Sequence, residues 1–294
     1  MKRLRVLEPL AWVGPAVVLI ALVVLWPVIE MVRTSFLEVS RFGVVRGWNG
    51  TDNYDELFAE TDFWPVMLRS LIWVVAVVGF TVLISLALAQ LFNQRFPGRK
   101  IARWALIAPW AASVLMTSII FKWMLDPEVG IINLIRRDLG LIPAMGGSDA
   151  DQLGQAATAF PWLIFVAVFV SVPFTTYALL AGLATIPSDV YEAAKMDGAS
   201  KFRTYWSITL PLLRPALTVA ALINVMNVFN SFPIIWSMTH GQPGYSTATS
   251  TIFMFILKGS DIGESAAMSV VNFGMVIILT AIFLKISKWK QEVA

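Results

Sequence analysis

Ile186-Pro187-Ser188-Asp189-Val190-Tyr191-Glu192-Ala193-Ala194-Lys195-Met196-Asp197-Gly198-Ala199-Ser200, continuing to Ile208-Thr209-Leu210-Pro211, is a charged interlude between two long apolar runs. Its pattern predicts a short helix with a defined start and stop. Asp189 followed three residues later by Glu192 has capping-box spacing, Pro187 lies just upstream, and Gly198 stands where a left-handed turn closes a helix. Ala193 and Ala194 keep its middle thin. On geometry alone two readings stand: the small face docks into a groove on a partner, or the segment rests on a membrane surface as an amphipathic linker.

The runs on either side belong in lipid. Hydrophobic residues are 57% of the 294 positions and charged ones 14%, too little polar surface to coat a soluble globule. A helix needs about 20 apolar residues to cross the hydrocarbon layer. Six segments meet that criterion: Leu10–Val32, Val66–Phe92, Arg103–Leu125, Ala156–Thr185, Leu212–Trp236 and Glu264–Ile286. The expected fold is therefore an all-α integral membrane protein, one membrane domain over residues 1–294. The first run is too long for a signal-peptide core and lacks a small-residue cleavage site, so it reads as an uncleaved span.

Cations alternate between the connecting segments. Lys2, Arg3, Arg5, then Arg95, Arg99, Lys100, Arg103, then Lys195, Lys201, Arg203, Arg214, then Lys285, Lys288, Lys290 fall on one side; Arg41, Arg46, Arg136, Arg137 and Lys258 fall mainly on the other. By the positive-inside rule both termini are cytoplasmic and the acidic stretch Asp52–Asp62 faces outward. The net charge of +3 lies in these short flanking clusters, with no continuous basic face for nucleic acid. Among the outward segments, Gly130–Arg137 suits a helix lying along the membrane surface, and the run Ile252–Leu257 is too short to span.

Several chemistries are excluded. The chain has no cysteine and one histidine, His240, which leaves no thiolate or histidine metal cluster. The carboxylates sit outside or at the edges of the expected spans, Glu30 and Glu264 nearest the hydrocarbon, which argues against a proton-coupled carrier. No phosphate loop, G-x-S-x-G or H-E-x-x-H motif occurs, so any ATP-derived energy comes from another polypeptide.

Glu192-Ala193-Ala194, Gly198, and Ile208 with Leu210-Pro211 resemble the E-A-A…G…I-x-L-P loop of permease subunits in binding-protein-dependent ATP-binding-cassette importers. The resemblance extends to Asn53-Tyr54, Leu57-Phe58, Phe63-Trp64, Pro109, Trp123, Gly130, Asn133 and Thr239-His240-Gly241-Gln242-Pro243, and is similar to the maltose-type sugar branch. In that last motif His240 and Gln242 stand where the branch usually has glycines. The resemblance implies a multi-pass inner-membrane subunit paired with a second permease and served by an extracytoplasmic solute-binding protein. It also implies two ATPase subunits that hold the ATP and Mg, so that this chain carries no cofactor. Residues 186–211 would then form a cytoplasmic coupling helix, with Glu192, Ala193, Ala194, Asp197, Gly198, Ile208, Leu210 and Pro211 engaging the ATPase. A self-sufficient carrier or channel is the alternative.

In the fifth expected span Asn224, Asn227 and Asn230 recur every third residue and share one slowly drifting helical face. Their amides either hydrogen-bond sugar hydroxyls or tie neighbouring helices together. Phe229, Phe232 and Trp236 offer rings that stack on a sugar or anchor at the interface. Lys122 is expected to snorkel to the membrane surface.

Overall fold

A computed structural model of the chain describes residues 4–142 and 148–286. Lys2, Arg3, Lys288 and Lys290 of the cation tally lie outside them. The first apolar run forms α1 (Leu4–Ile20) and α2 (Trp26–Thr34), joined without a break through a π-helical turn at Ala21–Leu25. A two-stranded hairpin follows, β1 (Leu37–Val39) antiparallel to β2 (Val45–Trp48) with Leu37 opposite Trp48, then α3 (Asp52–Ala59) and α4 (Phe63–Asn93). Beyond these come α5 (Arg99–Ala111), α6 (Val114–Met124), α7 (Ile131–Asp138) and α8 (Ala156–Ala184). The remaining helices are α9 (Ser188–Met196), α10 (Lys201–Thr204), α11 (Leu210–Phe229), α12 (Phe232–Met238), α13 (Ser250–Leu257) and α14 (Ile262–Ile286).

Among the described residues five helical stretches are long and apolar enough to cross a bilayer: Trp12–Thr34, Phe63–Asn93, Ala156–Ala184, Lys201–Phe229 and Ile262–Lys285. They match five of the six expected spans. The sixth, Arg103–Leu125, is not one helix. It is broken between α5 and α6, where Ala112 and Ser113 take extended backbone (ψ 146° and 148°) and the Ser113 hydroxyl caps α6 by accepting from the Met116 N–H at 3.1 Å. Pro109, one turn before the break, has no N–H for the carbonyl of Ala105, which weakens the helix there. The expected fifth span likewise ends early. α11 stops at Phe229, and Pro233 starts the separate α12 after the non-helical Asn230 and Ser231.

The chain divides into two units. One comprises the segment ending at Trp64 together with Met254–Gly274. Its organiser is Asn53, 2% exposed, whose amide donates to the carbonyls of Ser35 and Leu37, both at 2.9 Å, and accepts from Asn49 at 3.1 Å. Tyr54 adds a 2.7 Å hydroxyl pair with Ser35 and packs on Phe36, which stacks on Trp48. Phe58 meets both Phe63 and Trp64.

The second unit, Pro65–Phe253 with the segment from Met275, is built around α8. Leu179, Leu180 and Leu183 of α8 join Ala89 and Phe92 of α4 and Leu213 of α11, and Ala102 and Leu106 of α5 pack onto this cluster. Gly182 permits close passage of α11, because a Cβ there would stand 2.4 Å from the Ala216 Cβ. Polar links cross the bundle where backbone carbonyls accept a second donor: Trp73 Nε1 to Val228 at 2.9 Å and Ser85 to Val172 at 3.2 Å. Arg69 stands in the second span, a cation absent from the sequence tally of charges. Its guanidinium donates to the carbonyls of Tyr245 and Ala248, the latter at 3.2 Å, and so holds the loop after α12. Thr239 and Thr247 close that loop with a 2.8 Å hydroxyl pair.

The segment after α6 turns on Asn133. Fully buried, it donates to the carbonyls of Leu125 (3.2 Å), Asp126 (3.0 Å) and Ala150 (2.9 Å) and accepts from Arg136 at 2.9 Å. Beside it, the backbone N–H groups of Val129 and Glu128 hold the Asp126 carboxyl below its ordinary value. An unmet buried carbonyl costs about 1–3 kcal/mol. Asn133→Ala is therefore expected to lower the melting temperature of the purified protein by roughly 2–5 °C. Asn133→Asp, the same shape without donors, should be as damaging; a wild-type melt for the aspartate variant would show that donation does not matter.

Candidate functional site

Two places combine exposed functional groups with a defined frame. The first is the loop helix α9. It starts at Ser188 with Pro187 as its N-cap, and no side chain caps it, so the expected capping box does not form. The helix begins one residue too early for it: Asp189 and Glu192 both lie inside, past the N-cap. The expected stop is present in full. Gly198 has φ +71°, the Ala199 N–H returns to the Ala194 carbonyl at 2.9 Å, and the Gly198 N–H to Lys195 at 3.1 Å, the paired bonds of a Schellman closure. Space around Gly198 is open, so its requirement for glycine is purely a backbone one.

Glu192, Ala193 and Asp197 are exposed, whereas Ala194 is buried within the chain and is not offered to a partner. Ile208, Leu210 and Pro211 are half-buried. Between them Ser200 caps α10 by accepting from the Arg203 N–H, and a π-helical turn, Tyr205–Thr209, carries the helix into α11. Met196 (88% exposed) and Phe202 (75%) stand out beside the charged face of α9. Sequence reasoning passed over both, although an apolar residue among Lys195, Asp197 and Lys201 was the available signal.

The second place is a cavity of about 490 Å³ at the two helix breaks. Trp110 and Val114 reach it from the α5–α6 break, Asn230 and Ser231 from the α11–α12 break, Ser171 and Phe174 from α8, and Asn224 and Asn227 from α11. All three asparagines therefore share one cavity, as the three-residue spacing predicts, but they do different work. Asn224 is buried and its amide donates to Thr175 Oγ1 and to the Ala220 carbonyl, both at 2.8 Å, which ties α11 to α8. Asn230 donates to the Met226 carbonyl at 3.0 Å. Asn227 is exposed and makes no hydrogen bond among the described residues. The lining is amide, hydroxyl, aromatic and aliphatic, with no charged side chain.

Lys122 does not extend to bulk solvent alone; its ammonium donates to the Ser237 carbonyl at 3.1 Å. Phe232 stacks on Trp236, and Trp236 meets His240 edge-on with centroids 4.9 Å apart, an aromatic ladder along α12. Phe229 is buried and does not line the cavity.

The family model for the binding-protein-dependent transport system inner membrane component matches residues 9–289. A probable ABC transporter permease protein of Brucella suis biovar 1 is 38% identical over 280 residues, covering 95% of this chain and 96% of that one. The sulfoquinovosyl glycerol transport system permease protein of Agrobacterium fabrum is 31% identical, covering 95% of this chain and 89% of its own. Among solved structures, a bacterial ABC transporter involved in import of the acidic polysaccharide alginate superposes with TM-score 0.81 at 21% identity, over 98% of this chain and 96% of that one.

The division of labour among the asparagines is testable on the purified protein. Asn224→Ala should destabilise it by about 1–2 kcal/mol, the upper range for interhelical hydrogen bonds in lipid, while Asn227→Ala should leave the melt within about 0.5 kcal/mol of wild type. Equal losses would mean that Asn227 is a packing residue.

Proposed function

The chain belongs to the family of binding-protein-dependent transport system inner membrane components, and on that premise we propose that it is the permease subunit of an ATP-driven importer through which a sugar crosses the membrane. The observation that carries the sugar reading is the cavity. A carbohydrate presents hydroxyls in several directions and apolar ring faces between them. The uncommitted amide of Asn227 and the hydroxyls of Ser171 and Ser231 answer the first, and Trp110 and Phe174 the second. Sulfoquinovosyl glycerol and alginate, the cargoes of the similar systems, are both carbohydrates. This chain brings no cation to the cavity, so any acidic group on the cargo would be met by the second permease. A self-sufficient carrier gains no support, because the family works with a binding protein by definition.

The crossing is assigned as six passes, five long helices plus α5 and α6 together. Their 13 and 11 residues rise about 20 and 16 Å, and neither alone spans a hydrocarbon layer of about 30 Å. Non-helical backbone at that depth is tolerated where it lines a polar cavity, which is where both breaks lie. The cation distribution puts both termini and α9 in the cytoplasm. Cysteine in place of Phe42 should then label from outside, and in place of Met196 only after permeabilisation. Both positions are highly exposed, so labelling of both from one side would overturn the topology.

In this reading α9 is the coupling helix. Glu192, Ala193 and Asp197 face an ATPase subunit, Met196 and Phe202 seat against its apolar surface, and two such ATPases supply the hydrolysis of ATP with Mg. A second permease completes the pathway and an extracytoplasmic binding protein delivers the sugar. Gly198→Val forces a β-branched residue into a left-handed conformation at a cost of roughly 1–2 kcal/mol and tilts the helix. Glu192→Lys reverses a charge at the contact. Both variants are expected to reach the membrane at wild-type level, yet sugar uptake should fall at least tenfold, and ATP hydrolysis should stop responding to loaded binding protein. Normal uptake with normal stimulation in both would return the loop to the role of a surface linker.

A further inference from the structure

The turn between α4 and α5 and the first turns of α5 read Gln94-Arg95-Phe96-Pro97-Gly98-Arg99-Lys100-Ile101-Ala102-Arg103-Trp104, four cations and no carboxylate. A cavity of about 480 Å³ opens there, lined by Arg95, Phe96, Gly98, Arg99, Lys100 and Ile101. Little of this charge is spent inside the chain. Arg99 donates to the Gln94 carbonyl at 3.2 Å and Arg103 to Phe92 at 2.7 Å, but none of the four makes an ion pair among the described residues. Concentrated positive charge without a counter-charge is electrostatically costly until an anion neutralises it.

The anion's other half is specified by α5. Ala102 and Leu106 turn inward onto the leucine cluster of α8 and α11, whereas Ile101 and Trp104, three residues apart and hence on one face, are 76% and 72% exposed. The cations and this apolar stripe are adjacent within about one helical turn, directly after the membrane-spanning α4. A free phosphate would satisfy the first and leave the second bare. We propose that the α4–α5 turn is a binding site for an anionic phospholipid, with the headgroup phosphate held by Arg95, Arg99 and Lys100 and the acyl chains laid along Ile101 and Trp104. Guanidinium groups match phosphate oxygens in paired hydrogen bonds, and tryptophan favours the headgroup boundary. On the orientation proposed above the site faces the anionic cytoplasmic leaflet. It requires only that the chain be embedded in a membrane, so failure of the sugar assignment would leave it untouched.

The test uses the intact transporter complex in mild detergent, with phosphatidylglycerol or phosphatidylcholine added and lipid retention read by native mass spectrometry. The wild type should retain phosphatidylglycerol. Each cation at an anionic surface contributes about fivefold, so a triple variant, Arg95→Gln with Arg99→Gln and Lys100→Gln, should bind it about 100-fold more weakly, with phosphatidylcholine unchanged. Because the triple variant alters topology signals as well, a second measurement keeps the charges and replaces Trp104 by p-benzoylphenylalanine. Irradiation in membranes should give adducts of phospholipid mass. Equal retention of phosphatidylglycerol by wild type and triple variant, or cross-links from position 104 to protein alone, would overturn the proposal, the latter making this face a subunit interface. Displacement of phosphatidylglycerol by excess inorganic phosphate would reassign the cavity to a free anion.

Discussion

A buried peptide group that leaves a helix has no water to turn to, and that constraint recurs at the helix ends of this chain. The helices are interrupted or end abruptly at several points, and at four of them a side-chain donor meets a carbonyl beyond or at the helix end. After α2 the carbonyls of Ser35 and Leu37 go to Asn53; after α6 those of Leu125 and Asp126 go to Asn133. Pro233 cannot donate to the Phe229 carbonyl, and the Thr251 hydroxyl does so instead at 3.0 Å. Ser237 receives Lys122, and Tyr245 and Ala248 receive Arg69. Two cations on helices, Arg69 of α4 and Lys122 of α6, are thus spent on backbone carbonyls. A charge there is costly on its own and becomes affordable as a multiple donor.

Open hydrogen-bonding groups are set apart from committed ones in this chain. A group whose hydrogen bonds are complete holds structure; a group whose bonds are open can exchange with a passing solute. Both N–H donors of Asn224 are used and one of Asn230's, while the Asn227 side chain has no hydrogen bond among the described residues, and the three sit on one cavity. The breaks that cost the helices their continuity create that cavity, because they open space in the bundle and expose non-helical backbone to it. Interruption and cavity are thus one feature.

The spans were legible in the sequence because hydropathy integrates over twenty residues. The breaks were not, for the same reason: Pro109 and Pro233 lie within runs whose average hydropathy hardly falls at them, so Arg103–Leu125 and Leu212–Trp236 read as continuous. Gly198 was legible because a left-handed helix stop has a strong residue preference, whereas the Asp189–Glu192 spacing was read as a cap one residue out of register. Asn53, Asn133 and Thr239 were matched only through their resemblance to a family, with no role attached. Their long-range backbone bonds, across 16 and 18 residues for Asn53 and 17 for Asn133, leave no local pattern to read. Within the asparagine triplet, periodicity gave the shared face but could not say which amide was already bonded.

The frame also bears on how a loop helix and a cavity could act as one device. α9 is joined to α8 by Thr185, Ile186 and Pro187, and to α11 through the Schellman turn, the Ser200 cap and a π-helical segment that never leaves helical backbone. A displacement of α9 therefore enters α11 as a push on a nearly continuous rod. From Ser200 to Asn227 that rod rises about 40 Å. Gly182 against Ala216 presses α8 and α11 too close together to slide freely, and the Asn224–Thr175 bond pins them again one cavity wall higher. The compliant element is what remains, the Asn230–Ser231 break, where the regular ladder gives way to a long Asn230 N–H to Met226 bond of 3.4 Å and a tightened Ser231 N–H to Val228 bond of 3.2 Å. On the proposed coupling role, force applied at α9 would be felt at the end of α11 as a change in the angle between α11 and α12, both of which line the cavity that Asn227 faces.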